Sequence, residues 1–557
     1  MSLPIVLGIA AAQHNGAACL VHGAKIVVAI QEERITRVKR QGISASRFSH
    51  AVDYCLNSAG VKVGDVDLVV ICTQTASTDN AHDLSGNAQL FDAVSRGKVR
   101  FLSHHHGHAY SALALSGMRN PAVLVVDGIG SPAQDTSLEN DQLKLLPDDG
   151  QSESTSVYVA DDWTLRPHLK MFAETMGWFK VDADDRVSYR SLGGLYSAVS
   201  HKIFGDALEA GKVMGLAPYG KPTIAAEQFI DLARRDWKFP KSAPEILQTL
   251  RRGEFETTAA KTVSASVQRA LEKTLLRLLR QIREETGRTS LCFAGGVALN
   301  AIANERILRE AGFDRFFAVP ASEDSGTAIG AAYFGLQQLG FRPTPEPQST
   351  DCYGKKYGVE EILRAAHHFP KIRFYETKNI AQTAATRLAQ GEIGGWFQGG
   401  AEFGPRALGN RSILADPRNK MTKNRLDQEI KKREAFRPYA PAVLLSKAAE
   451  WFDFGPDPHS PFMLRIVPVL EKARDKIPAV VHVDGSARVQ TVDRHNGLFY
   501  DLIHNFDKIT GVPVVLNTSF NGVGEPIVET PEDALRYFER SGMDFCIIEN
   551  MVFEKND

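Results

Sequence analysis

The sequence predicts an α/β protein built in two successive parts. Three observations carry that expectation. Short apolar runs of strand composition alternate with segments of helical apolar spacing along the chain. Glycine-rich turns stand where such strands end and helices begin. A stretch with three prolines, 340–350 (GFRPTPEPQST), separates a first part, 1–345, from a second, 346–557.

In chain order, 5–10 is an apolar run, 13–16 (QHNG) a polar turn, and 17–21 and 25–31 read as returning strands. The short turn VHGAK between the last two suits a hairpin. Residues 67–72 (DLVVIC) have the composition of a buried strand. His104 to Ser116 reads as a helix stopped by Gly117, and 122–126 as a strand ending at Asp127 and Gly128. The stretch 148–156 reads as a mobile acidic insert. From 258 to about 285, Val263, Val267, Leu271, Leu275 and Leu279 keep helical spacing. Residues 290–293 run as a strand into AGGVALN, with a helix after it. SEDSGTAIGAAYFGLQQLG reads as a loop entering a helix of small residues, which permits close packing or close approach of a ligand. Beyond the prolines, RFYET, GGWFQ and PVVL read as strands and 379–390 as a helix. No repeat of fixed period is visible.

Composition narrows the function. A formal net charge of −1 offers no overall basic field for nucleic acid. MSLPIVLGIA lacks the pattern of a signal peptide, and no apolar run approaches the roughly 18 residues of a membrane span. The six cysteines are scattered without a C-x-x-C pair, against a disulfide framework or a structural zinc site. A soluble cytoplasmic enzyme is the expectation.

Three groups of residues point to chemistry. In SHHHGHAYSA, His104 and His108 stand four apart, so on a helix they share a face and can chelate one ion. Asp127 and Asp324, at strand or loop ends, are candidates to complete the site. His105 and His106 point to other faces. The turns at Gly128, at Gly295 and Gly296, and at Gly326 could cradle phosphate or approach a nucleotide, with Lys212 in the glycine-bracketed segment EAGKVMGLAPYGKP as a further phosphate contact. The second half is rich in arginine beside Gly, Pro and aromatic residues. Arg406 and Arg411 lie in FGPRALGNRS, Arg433 and Arg437 with Lys431 and Lys432 in KKREAFRPYAP, and Arg488 in DGSARVQTV. The guanidinium fork matches phosphate and carboxylate. Asn517, Ser519 and Asn521 offer amide and hydroxyl groups suited to a planar urea-like group.

These residues, with LGIAAAQHNGAACL, EERITRVK, VLVVDGIG, SLGGLYS, GKVMGLAPYG, EDSGTAIGAA and PVVLNTSFNGVGEPIVETP, resemble the O-carbamoyltransferases of antibiotic and nodulation-factor biosynthesis, the NodU/CmcH family. The motifs run in family order over nearly the whole chain. The resemblance implies an N-terminal actin/sugar-kinase-like domain, similar to the threonylcarbamoyl-adenosine transferase, and a C-terminal YrdC-like domain. It implies that the second domain makes carbamoyl adenylate from carbamoyl phosphate and ATP, with Mg²⁺. The first domain then passes the carbamoyl group to a hydroxyl of a small-molecule acceptor. His104, His108, Asp127 and Asp324 would hold Fe²⁺ or another divalent transition metal. Gly295, Gly296 and Asn300 would lie at a nucleotide, and His14 would be the general base. Lys431, Lys432, Arg433, Arg488 and Asn517 would contact anion and carbamoyl group, with Tyr357 and Met463 lining the pocket. Asn15 stands where the family often has an acid after the histidine, and His106 where it has an apolar residue. A threonylcarbamoyl-type tRNA-modifying enzyme and a non-catalytic nucleotide-dependent regulator are the competing readings of the same modules.

Overall fold

The computed structural model describes residues 3–74, 84, 87–145, 147, 150–174, 179–232, 238–240 and 245–556. The chain forms two compact units. The first comprises Met1–Glu32 and Gln41–Gln348, the second Glu33–Arg40 and Ser349–Asp557. An eight-residue segment expected in the first part thus belongs to the second unit.

The first unit contains β1 (Ile5–Ala11), β2 (Ala17–His22), β3 (Lys25–Gln31), β4 (Leu68–Thr73) and β5 (Val99–Ser103). It continues with β6 (Ala122–Val126), β7 (Gln151–Asp161), β8 (Thr164–Glu174), β9 (Phe179–Val181), β10 (Val187–Tyr189), β11 (Ser290–Ala294) and β12 (Arg315–Ala318). One sheet has the order β3-β2-β1-β4-β5, the other β12-β11-β6-β7-β8. In each, the first strand in sequence sits centrally, is followed by two antiparallel neighbours on one side, and is flanked on the other side by two parallel strands. The sheets are therefore two copies of one topology, the arrangement expected of an actin- or sugar-kinase-like unit. The central strands are apolar on both faces, because helices cover them; β1 and β6 are buried along nearly their whole length.

The stretch 148–156 corrects the expected mobile insert. Asp148 and Asp149 lie outside the described residues. Residues 151–156 begin β7, where Ser152, Glu153, Ser154, Thr155 and Ser156 are all buried. The polar composition reads as loop, yet these groups find partners inside: the Glu153 carboxylate meets the Lys170 ammonium and the backbone N–H of Ser131. The proline-rich 340–348 is likewise tied to the first unit. Trp163 Nε1 donates to Pro343 O at 2.7 Å and Gln348 N to Leu115 O at 2.8 Å.

Two helices bring the first site together. His104–Ser116 ends at Gly117, which takes φ +65°. Thr327–Gln338 crosses it where Gly330 meets Gly107; a Cβ on Gly330 would lie 1.8 Å from Gly107 O. The small residues seen in the sequence thus serve helix contact, and that contact sets Asp324, at the head of the second helix, against His104. Gly330→Ala is expected to force the helices apart, costing about 3 kcal/mol or more. Urea unfolding of the variant checks this.

The second unit is also α/β. Its strands are β13 (Ile372–Glu376), β14 (Gly394–Phe397), β15 (Arg411–Ala415), β16 (Ala440–Leu444), β17 (Ile466–Pro468), β18 (Ser486–Arg488), β19 (Gln490–Val492), β20 (Val514–Ser519), β21 (Phe545–Ile548) and β22 (Met551–Lys555). Eight form one mixed sheet, β13-β22-β21-β14-β15-β20-β16-β19, and β17 pairs with β18. Trp396, Phe397, Phe506, Leu516 and Phe538 are among its buried core residues. No helix among the described residues is long and apolar enough to cross a membrane. The six cysteines form no disulfide.

Candidate functional site

In the first unit, His104 and His108 face the same side of their helix, one turn apart. Their Nε2 atoms are 3.2 Å apart. His104 Nε2 lies 3.1 Å from Asp127 Oδ2 and 3.3 Å from Asp324 Oδ1. His108 Nε2 lies 3.8 and 3.9 Å from the same oxygens. One donor atom from each of the four residues falls within 4.8 Å of every other, and all four residues are buried. Each carboxylate divides its oxygens. Asp127 Oδ1 accepts from Gly296 N at 3.2 Å, leaving Oδ2 to the histidines. Asp324 Oδ2 accepts from Gln74 Nε2 at 3.0 Å and lies 3.3 Å from His14 Nδ1, leaving Oδ1 to them.

The electrostatics ask for a cation here. Burial opposes an imidazolium at His104, but the Asp324 and Asp127 carboxylates outweigh it and raise its pKa well above the usual value. Burial and the neighbouring His104 charge push His108 down to about 3. Burial would raise both carboxyls, and the facing histidines hold them low instead. Two imidazole nitrogens and two carboxylate oxygens around one point, in a dry setting, are a donor set that fits a divalent transition metal.

The other sequence-singled residues of this unit are placed as follows. His105 and His106 face away from this point: His105 Nδ1 meets Ser156 Oγ at 2.8 Å, and His106 stacks on Tyr158 at 5.4 Å. Gly295 has φ +86°, and a Cβ there would lie 2.3 Å from Val126 O. Gly128 O accepts from Ser191 Oγ at 2.6 Å. Gly326 is packed against Ala321 O, so its lack of a side chain serves close packing. Asn300 caps the helix Ala301–Glu310 through Ala303 N and bonds Gln268 and Tyr196. Lys212 lies in the short helix Ala210–Leu216, 3.5 Å from Glu209 and over the Phe204 ring.

Sequence reasoning missed Gln74 and a buried charge cluster beside the histidine helix. Lys170 meets both Glu153 and Glu139, and Tyr158 OH donates to Glu139 at 2.9 Å. Burial alone would raise the Glu139 carboxyl, but His106 and Lys170 draw it down to about 2. Because the folded value is depressed, its stabilisation is complete above the unfolded value of about 4.3 and is lost as pH falls toward 2. Urea midpoints measured between pH 5 and 2 are expected to fall, and to fall less in Glu139→Gln.

In the second unit, a π-helical turn, Leu426–Ile430, precedes the basic run and is closed by Lys431 N donating to Leu426 O at 2.7 Å. Lys431 is buried, and its Nζ donates to Ser519 O (2.8 Å), Asn521 O (2.9 Å) and Asn521 Oδ1 (2.7 Å). Burial and the charges of Arg433, Arg437 and Lys39 depress its pKa well below the usual value. Lys432 is exposed with φ +41°. Arg433 stacks on Tyr439 at 3.8 Å and approaches Asp427 at 3.3 Å; Asp427, unremarked in the sequence, also accepts from Tyr439 OH. Burial and then the charges of Arg406, Arg433 and Arg437 lower the Arg488 pKa. Arg488 Nε is buried without a hydrogen-bond partner among the described residues.

Arg411 is a correction to the expectation of an anion contact. It is fully buried, donates to the carbonyls of Gln398, Asn410 and Gly399, and stacks on Phe397 at 3.4 Å. Asn517 is buried, with Nδ2 donating to Gln490 Oε1 and Ala407 O and Oδ1 without a partner among the described residues. Asn521 is spent between Lys431 and Glu525 O. Tyr357 OH donates to Glu529, and Met463 is buried with φ +56°.

Comparison with known proteins gives the same order of parts. The family described as carbamoyltransferase N-terminus matches residues 5–83 and 87–333, and that described as carbamoyltransferase C-terminus matches 385–555. Nodulation protein NolNO of Sinorhizobium fredii is 34% identical, over 97% of this chain and 79% of that protein. The 3'-hydroxymethylcephem-O-carbamoyltransferase of Amycolatopsis lactamdurans is 31% identical, over 62% of this chain and 65% of that one. Among solved structures, HypF of T. kodakarensis aligns with a TM-score of 0.37 at 14% identity, covering 62% of this chain and 50% of that one.

Proposed function

The chain belongs to the carbamoyltransferase family, and from that premise we propose that it carries out ATP-dependent O-carbamoylation of a hydroxylated small molecule through carbamoyl adenylate. The second unit activates. Water releases phosphate from carbamoyl phosphate to leave carbamate; a carbamate oxygen then attacks the α-phosphorus of ATP, and pyrophosphate leaves. Negative charge builds on phosphoryl oxygens in both steps. Arg488, Arg406, Arg433 and Arg437 answer it, aided by Mg²⁺ carried on ATP. Lys431 and Lys432 flank that cluster in sequence, and Asn517 Oδ1, Tyr357 and Met463 are the proposed carbamoyl contacts.

The first unit transfers. The acceptor oxygen attacks the carbamoyl carbon, AMP leaves, and the hydroxyl proton passes to His14. Asp324 Oδ2, 3.3 Å away, orients His14 and balances the charge it gains. His104, His108, Asp127 and Asp324 would hold the divalent metal, Fe²⁺ in this reading, which when bound supplies Lewis acidity toward the carbamoyl oxygen. Gly128, Gly295, Gly296, Asn300, Gly326 and Lys212 remain the proposed nucleotide surroundings.

The observation that supports this most is the group of arginines at Arg488: the charges of Arg406, Arg433 and Arg437 act on a half-buried guanidinium whose Nε has no hydrogen-bond partner among the described residues. Asp427 answers Arg433 and Glu434 lies 3.6 Å from Arg437, and the positive charge that remains at Arg488 suits a polyanion. Pyrophosphate release from ATP tests it. Release that requires carbamoyl phosphate supports the reading, and release independent of it, or none with metal-loaded protein and a panel of acceptor alcohols, sinks it. The cephem relative is named for O-carbamoylation of a hydroxymethyl group, and an alcohol acceptor is carried over from it.

A further inference from the structure

Apart from Lys39, whose charge acts on Lys431, the motif EERITRVK at 32–39 has no part in the chemistry above. Its residues from Glu33 onward belong to the second unit, although they follow β3 of the first. The short helix Glu32–Thr36 ends there, and Arg37 N donates to Glu33 O at 3.0 Å with Arg37 at φ +61°. Glycine ordinarily takes this left-handed position, because a Cβ is disfavoured there. What an arginine adds is its side chain. Nη1 donates to Ile527 O at 2.7 Å and Nη2 to Pro526 O at 2.8 Å, with Asp533 3.6 Å from Nε. A residue held against its backbone preference marks a place where the side chain is needed.

The segment it grips is the one that clamps Lys431. Phe520 O accepts from Val528 N at 3.0 Å, closing a loop that contains Asn521, Pro526 and Ile527. Ser519 and Asn521, at the mouth of that loop, supply the oxygens on Lys431 Nζ. On the other side, Arg34 is buried and donates through Nη2 to Gly404 O at 2.6 Å, two residues before Arg406. Two arginines of one N-terminal segment thus hold two loops of the basic site. We propose that Arg37 is a positioning residue for carbamoyl phosphate activation, fixing the 520–528 loop and through it Lys431, so that the activation unit is completed by residues encoded at the N-terminus. The proposal rests on the reading that the second unit performs that activation.

The test is Arg37→Gly in the full-length protein, with Arg37→Lys beside it. Glycine relieves the backbone while removing the whole side chain, so a merely structural arginine would lower the melting temperature and leave the kinetics of the folded protein unchanged. The expected result is a fall of about 10–100-fold in carbamoyl-phosphate-dependent ATP–pyrophosphate exchange, the loss that a misplacement near 1 Å produces. It is carried by a raised KM for carbamoyl phosphate, with an unchanged melting temperature and partial recovery in Arg37→Lys. Unchanged exchange overturns the proposal. If the wild-type protein shows no such exchange, the activation reading falls separately, and amide hydrogen exchange of 517–530 decides the positioning role. Faster exchange in Arg37→Gly upholds it; an identical profile overturns it.

Discussion

Asp324→Asn is expected to abolish carbamoyl transfer while leaving carbamoyl-phosphate-dependent pyrophosphate release in place. Asp324 does two things in the first unit. Its Oδ1 faces His104 and His108, and its Oδ2 faces His14 and Gln74. The amide is nearly isosteric, so the fold should survive. It removes one of two negative charges from the candidate metal centre, and whichever way it turns, its NH2 meets either the two histidines or the Gln74 donor. Loss of an outer partner of a metal ligand typically costs 10–100-fold. Removing a proposed ligand that also orients the proposed base should cost at least about 100-fold in transfer, with metal content measured on the purified variant falling in parallel. Full metal occupancy and full transfer in Asp324→Asn would remove the first unit from the chemistry.

The second large effect is the reverse. Arg488→Ala should lose about 10²–10³-fold in carbamoyl-phosphate-dependent pyrophosphate release, the scale of a lost oxyanion donor. Its melting temperature should hold or rise, because the side chain sits among Arg406, Arg433 and Arg437, and its removal relieves like-charge repulsion. Gain in stability with loss of activity is the signature of a group kept for its ligand. An arginine kept for packing would show the opposite pair: a lower melting temperature and unchanged release.

Much of the fold was legible because its signals are local. His104 to Ser116 reads as a helix from its spacing and its terminal glycine, and 122–126 as a strand from its run of apolar residues. The duplicated sheet was not legible, because the copies share strand order and direction rather than residue pattern. Nor was the assignment of Glu33–Arg40 to the second unit, which depends on contacts nearly 500 residues away in sequence, such as Arg37 with Ile527 (490 residues). The buried start of β7 was misread because Glu153 is polar in sequence and satisfied only by Lys170 and distant backbone. At the sites, residue type announced His104, His108 and the arginines, but not their duties. Arg411 and Arg488 look alike in sequence. One donates to carbonyl oxygens, and the other feels the charges of three further arginines. Gln74 carries no motif, and its place beside Asp324 comes only from the fold.

In the proposed mechanism the carbamoyl group passes through a mixed anhydride with AMP. Carbamoyl phosphate labelled with ¹⁸O in its carbonyl oxygen tests it directly, with the AMP product examined by ³¹P NMR or mass spectrometry. Attack of carbamate on the α-phosphorus followed by cleavage at the carbamoyl carbon leaves one of the two equivalent carbamate oxygens on phosphorus, so half of the AMP is expected to carry the label. AMP free of label, or ADP as the nucleotide product, would contradict it.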